Sequence, residues 1–196
     1  MVSMLRAMQK KKNGIPADVV LVFEDIVQRH QNEFGQHLVG FTSFHPEWDD
    51  EFCQAMNKHL TREQRFLLYE TQGGCNGAGA DKERRAFALD HANLALDERM
   101  ALFAETFGRW KPELNEEDGT LTLEFKCGHG YYKRAREGKY EVPPQNVESY
   151  FERCAGGRLY ELQKALGIKL KIKSVDVSPL TTNIDNPVKF TFEIVE

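Results

Sequence analysis

Between Pro16 and Val27 the apolar residues Val19, Val20, Phe23, Ile26 and Val27 recur at three- and four-residue intervals, the period of a helix that buries one face. Pro16 stands where a first helical turn tolerates a missing N–H. A second helix is predicted from about Pro46, with Phe52, Met56 and Leu60 on one side. A third follows through Tyr69, because Thr61 and Gln64 have the spacing of a capping box. Phe34 to Phe44 reads as a glycine-containing join. The run Gly73 to Gly79 (GGCNGAG) interrupts the helices, and Asp81 has the position of an N-cap. The helix it opens is predicted to run toward Phe107 through Leu89, Leu96, Met100 and Phe103, with a break where Asp97 restarts it.

After Trp110-Lys111-Pro112 the period changes to two. Leu121, Leu123, Phe125 and Cys127 share one face of a strand, and Thr122, Glu124 and Lys126 share the other. Pro143-Pro144 blocks regular structure. Val147, Phe151, Leu159, Leu162 and Leu166 then predict a helix ending at Gly167, interrupted or restarted at Gly156-Gly157. Leu170 and Ile172 alternate with lysines in a strand whose phase slips at Ser174-Val175, which predicts a bulge. Phe190, Phe192 and Ile194 mark a closing strand, antiparallel to the one before it across the loop from Pro179 to Pro187. The pattern gives an α+β fold: an N-terminal helical layer packed with a small antiparallel sheet in the C-terminal half. Residues 15–196 read as one domain, preceded by a mobile basic tail, residues 1–14, that ends at Asn13-Gly14.

Charge narrows the classes of partner. The formal net charge of −4 over 196 residues gives no electrostatic reason for nucleic-acid binding, which needs clustered lysine and arginine in excess. The short basic runs at Lys10 to Lys12 and at Lys133, Arg134 and Arg136 read as solvated surface. No apolar run approaches the ~18 residues of a membrane span, so the expectation is a cytoplasmic protein without a membrane partner. Four cysteines, Cys53, Cys75, Cys127 and Cys154, lack a small-scaffold spacing, which makes them thiols or ligands in a reducing compartment.

Three groups of residues carry candidate chemistry. The stretch GGCNGAGADKERRA leads into a helix, yet lacks the Gly-Lys-Ser/Thr ending of a phosphate loop and reads as a turn. Cys75 within it stands just before a helix start, where a thiolate is favoured, and is a candidate ligand contact. The second group is Cys127-Gly128-His129 with Glu152-Arg153-Cys154, two ligand-x-ligand spacings beside glycines. Cys127, His129, Glu152 and Cys154 could close a tetrahedral zinc site. The same residues also permit nucleophilic catalysis by Cys127 or Cys154, with His129 or His91 as base. The third group is aromatic. Tyr131, Tyr132, Tyr150, Phe151 and Tyr160 flank the glycine turns, and Tyr131, Tyr132 and Tyr160 in particular could wall a pocket for a small ligand. The acid runs Asp49-Asp50-Glu51 and Glu116-Glu117-Asp118 read as caps and solubilising surface.

From Cys154 to Glu196 the chain reads CAGGRLYELQKALGIKLKIKSVDVSPLTTNIDNPVKFTFEIVE. The order of cysteine, small residues, helix ending in Leu-Gly, strand, polar loop and Phe-x-Phe-x-Ile strand resembles the end of the 4-vinyl-reductase-like ligand-binding domains. It is more closely similar to small bacterial proteins related to L-2-amino-thiazoline-4-carboxylic acid hydrolase. The resemblance covers the C-terminal part and not the helical first half. It implies helices packed on an antiparallel sheet with a pocket between them, and a homodimer. The paired Cys-x-Cys positions of these relatives fall on Cys127 and His129 and on Glu152 and Cys154, so each pair keeps one thiol. A further cysteine expected near Pro187 or Val188 is absent. The leading expectation is a small-molecule-binding or sensory domain. The alternatives are a cysteine-dependent hydrolase of a small cyclic amide or thiazoline-like substrate, and a zinc-stabilised interaction domain.

Overall fold

The computed structural model describes residues 2–10, 13–34, 46–71, 80–108, 110–126 and 147–195. They form two compact units, Met1–Gln72 with Cys127–Glu152, and Gly73–Lys126 with Arg153–Glu196. The fold is α+β: helices throughout, and a four-stranded antiparallel sheet drawn from the C-terminal half.

The first unit holds α1 (Val2–Met8), α2 (Ala17–Phe34), α3 (Pro46–His59) and α4 (Arg62–Glu70). Residues 2–8, expected in a basic tail, form α1, whose Met4, Ala7 and Met8 fall at helical spacing and are buried. Asn13, expected to end that tail, is buried and donates its side-chain N–H to the Ala7 carbonyl at 2.7 Å. Along α2 the expected stripe is present: Val20, Phe23, Ile26 and Val27 are buried, and the Phe23 ring lies 5.1 Å from that of Phe52 on α3. The join at 35–45 and the glycine run at 73–79 lie outside the described residues.

The α4 capping box is formed as its sequence predicts. Gln64 N–H donates to Thr61 Oγ1 at 3.2 Å, and Thr61 N–H donates to Gln64 Oε1 at 2.9 Å. Thr61→Ala removes the cap and is expected to cost about 1 kcal/mol, read as a lower urea midpoint at an unchanged m-value.

The second unit contains α5 (Asp81–Asp90), α6 (Leu96–Phe107), β1 (Glu113–Asn115), β2 (Thr120–Phe125), β3 (Lys169–Asp176), α8 (Pro179–Thr182) and β4 (Val188–Val195). The sheet order is β1-β2-β4-β3, with every neighbouring pair antiparallel. The break expected within the stretch 81–107 is present: the chain leaves the helix at His91 and restarts at Leu96, one residue before Asp97, where Glu98 Oε2 accepts from Ala95 N–H at 3.0 Å. Met100 and Phe103 are buried as expected, but Leu89, expected with them, is 78% exposed, and Phe87 is buried in its place. Strand β1 was not foreseen. It returns into β2 through a turn in which Asn115 Oδ1 accepts from the N–H groups of Glu117 and Asp118, and Gly119 adopts φ +60°. The bulge expected near Ser174 is present as a register shift between Ile172 and Ser174.

Helix α7 (Val147–Leu166) begins in the first unit and continues into the second. The interruption expected at Gly156-Gly157 does not occur: both glycines are helical and buried. Their helix cost of about 1 kcal/mol each relative to alanine is offset by burial of their neighbours Phe151, Ala155, Leu159 and Leu162. The helix ends as expected at Gly167, φ +67°. Its C-terminal carbonyl, on Leu166, accepts from Arg99 of α6. Among the described residues, no helix is long and apolar enough to cross a membrane.

Candidate functional site

Cys75, Cys127, His129, Tyr131 and Tyr132 lie outside the described residues. Of the candidates that are described, Glu152, Cys154 and Tyr160 stand on α7.

Glu152 is fully buried in the first unit, and both of its oxygens accept from Arg65: Nε to Oε2 at 2.6 Å and Nη2 to Oε1 at 2.9 Å. This bidentate bond raises the Arg65 pKa above its ordinary value. Arg65 also donates to the Leu60 carbonyl at 3.2 Å, and Arg62 Nε lies 3.6 Å from Glu152 Oε1. One turn earlier, Ser149 donates to Asn57 Oδ1. Glu152 therefore anchors the start of α7, and ligation of a metal would require its ion pair with Arg65 to open. Residues two apart on a helix point about 200° apart around its axis, so Glu152 and Cys154 do not converge on one ion. Among the described residues, no group of three histidines, cysteines or acids is placed to hold a metal. Cys154 is a buried thiol, 7% exposed, within a helix. His91, nominated as a base, closes α5: Nδ1 bonds the Phe87 carbonyl at 2.8 Å and the ring lies 4.4 Å from that of Phe87.

Tyr160 belongs to a polar chain in the second unit. Its hydroxyl donates to Asp81 Oδ2. Asp81 Oδ1 pairs with Arg84 Nη1 at 3.2 Å, and Arg84 Nη2 lies 3.0 Å from Glu161 Oε1. Arg158 Nη2 donates to that same Glu161 oxygen at 3.1 Å. The Arg158 guanidinium carbon stands 4.1 Å from the centre of the half-buried Trp110 ring and 5.4 Å from that of Phe125. Arg84, Arg158 and Glu161 are all at or below 5% exposure.

Local structure explains this assembly. Asp81 and Arg84 are three apart on α5, Arg158 and Glu161 three apart on α7, and each spacing places its two side chains on one helix face. Asp81, expected as an N-cap, is instead the first helical residue, which frees its carboxylate for Arg84 and Tyr160. The bond from Tyr160, then the ion pair with Arg84, hold the Asp81 pKa below the usual carboxylate range; the same bond raises that of Tyr160. Asp81 thus contributes stability that is present above its unfolded pKa of about 3.9 and is lost as pH falls through the lower folded value.

Sequence reasoning found Tyr160 but missed Arg84, Arg158, Glu161 and Trp110. The only local signals were the two i,i+3 charge pairs, which also describe an ordinary solvated helix face.

An open groove of about 370 Å³ runs between the start of α6 and β1, lined by Met100, Lys111, Pro112 and Leu114 with Asp97 and Glu113 among its acids. Comparison with family models, with curated proteins and with solved structures returns no match.

Proposed function

We propose that this chain is a small-molecule-binding or sensory protein whose recognition groups lie in the second unit, around Arg158, Trp110, Glu161 and Tyr160. The supporting observation is the buried charged chain itself. Buried ion pairs add little stability over apolar side chains of similar volume, whereas charged groups paired out of water beside an aromatic ring suit recognition of a polar ligand. The resemblance of the C-terminal segment to ligand-binding domains points the same way. With it comes the expectation of a homodimer, beside the cytoplasmic setting expected from the apolar pattern of the sequence.

The test is a thermal-shift panel on the full chain, using small carboxylic acids, cyclic amides and free amino acids. At least one class is expected to raise the unfolding temperature in a concentration-dependent way, since a ligand at a hundredfold excess over its Kd adds about 2.7 kcal/mol. A flat response across all three classes counts against the proposal.

A further inference from the structure

We infer that Asn13-Gly14 is a site of spontaneous deamidation which the docking of α1 holds in check, and that the reaction, once it occurs, unseats α1. Asn13 follows α1, is 5% exposed, and donates its side-chain N–H to the Ala7 carbonyl at 2.7 Å. That carbonyl is one of the last in α1, where a helix leaves its acceptors without intrahelical partners; it also takes the Lys10 N–H at 3.2 Å. Gly14, by contrast, is exposed and adopts φ +64°, and its N–H has no acceptor among the described residues.

Deamidation of an Asn-Gly pair is an intramolecular acyl transfer. The Gly14 backbone nitrogen attacks Asn13 Cγ and gives up its proton, the Cγ–Nδ2 bond breaks, and ammonia leaves with that proton. Water then opens the cyclic imide to aspartate or isoaspartate. Glycine favours the attack because no Cβ crowds its nitrogen. Here the nucleophile stands in water and the electrophile does not: the Asn13 amide is buried and held on Ala7, so attack requires α1 to open. The product does not fit the place it left. A carboxylate only accepts, so it would set a negative oxygen against the Ala7 carbonyl, buried and at the negative end of the helix. A helix of seven residues, anchored through Met4, Ala7 and Met8, has little packing to set against that.

The full chain is incubated in mildly alkaline buffer, folded and in urea above its midpoint, and deamidation is followed by peptide mass mapping. Asn76-Gly77, the chain's other Asn-Gly pair, gives in urea the rate of an open pair. Asn13 is expected to keep pace with it in urea and to react about tenfold or more slowly in the folded chain. Met4→Ala and Met8→Ala, which loosen α1 without touching the pair, are each expected to restore most of that rate; Met4→Ala alone decides if Met8→Ala fails to fold. Asn13→Asp, which carries the charge of the product, is expected to speed tryptic cleavage after the exposed Arg6 about tenfold over wild type. An Asn13 that stays intact in urea, or that reacts equally fast folded and unfolded, overturns the inference. So does a slow folded rate that loosening α1 leaves unchanged, which places the protection elsewhere. Equal cleavage of Asn13→Asp and wild type overturns it too, because the product then stays docked.

Discussion

Glu152→Ala is expected to lower the stability of the chain by about 3–5 kcal/mol, read as a large fall in the urea midpoint. The substitution removes the group that, among the described residues, accepts two bonds from Arg65, and leaves that guanidinium, 7% exposed, with the Leu60 carbonyl for support. The loss is then mainly the cost of an uncompensated buried charge, and a second substitution reports on it. Arg65→Leu combined with Glu152→Leu removes both charges and fills their space, so the double variant should recover most of the stability. If instead the two single losses simply add, the pair is not the anchor described. Zinc separates the structural role from the metal-ligand role expected from sequence. Added zinc should leave the wild-type midpoint where it is in a chelator, whereas a zinc ligand at Glu152 would raise it.

The elements that were legible in the sequence are those whose cause is local. The capping box at Thr61 and Gln64, the stripe of α2, the alternation of β2 and β4, and the bulge near Ser174 each follow from residues within a few positions of one another. The departures have non-local causes. Gly156-Gly157 reads as a break because glycine is a poor helix former, but the burial of α7 on both sides of it carries the helix through. Met4, Ala7 and Met8 are too few to predict a helix alone, and α1 is held by its packing on α2 and α4. Of the candidate site, the sequence singled out Tyr160 and Glu152 as polar groups near glycine turns. It could not show that Arg65, distant in the chain, takes both oxygens of Glu152, nor that Arg84 and Arg158 meet on one carboxylate. Cys127 and His129 lie beyond the described residues, so the hydrolase expectation stays where the sequence left it, whereas Glu152 and Cys154, on opposite sides of α7, count against a zinc site closed by all four candidates.

Glu161→Ala should be as damaging as Glu152→Ala, about 3–5 kcal/mol, but with a different signature. It leaves Arg84 and Arg158 without the oxygen they share, and among the described residues Arg84 alone retains another carboxylate, that of Asp81. The burden therefore falls on Arg158, whose Nε has no acceptor among the described residues. Removing the carboxylate opens a space of carboxylate size beside two guanidinium groups, and acetate should fill it. Millimolar acetate is accordingly expected to restore part of the lost urea midpoint in Glu161→Ala, while chloride at equal ionic strength does not. Glu161→Gln gives the complementary result: it keeps the volume and an acceptor oxygen but not the charge, so it should lose stability and gain little from acetate. Equal recovery in acetate and chloride would mean that screening, not occupation of the site, relieves the two arginines. Recovery specific to acetate would show that this cluster, once short of one negative charge, takes a small carboxylate from solution.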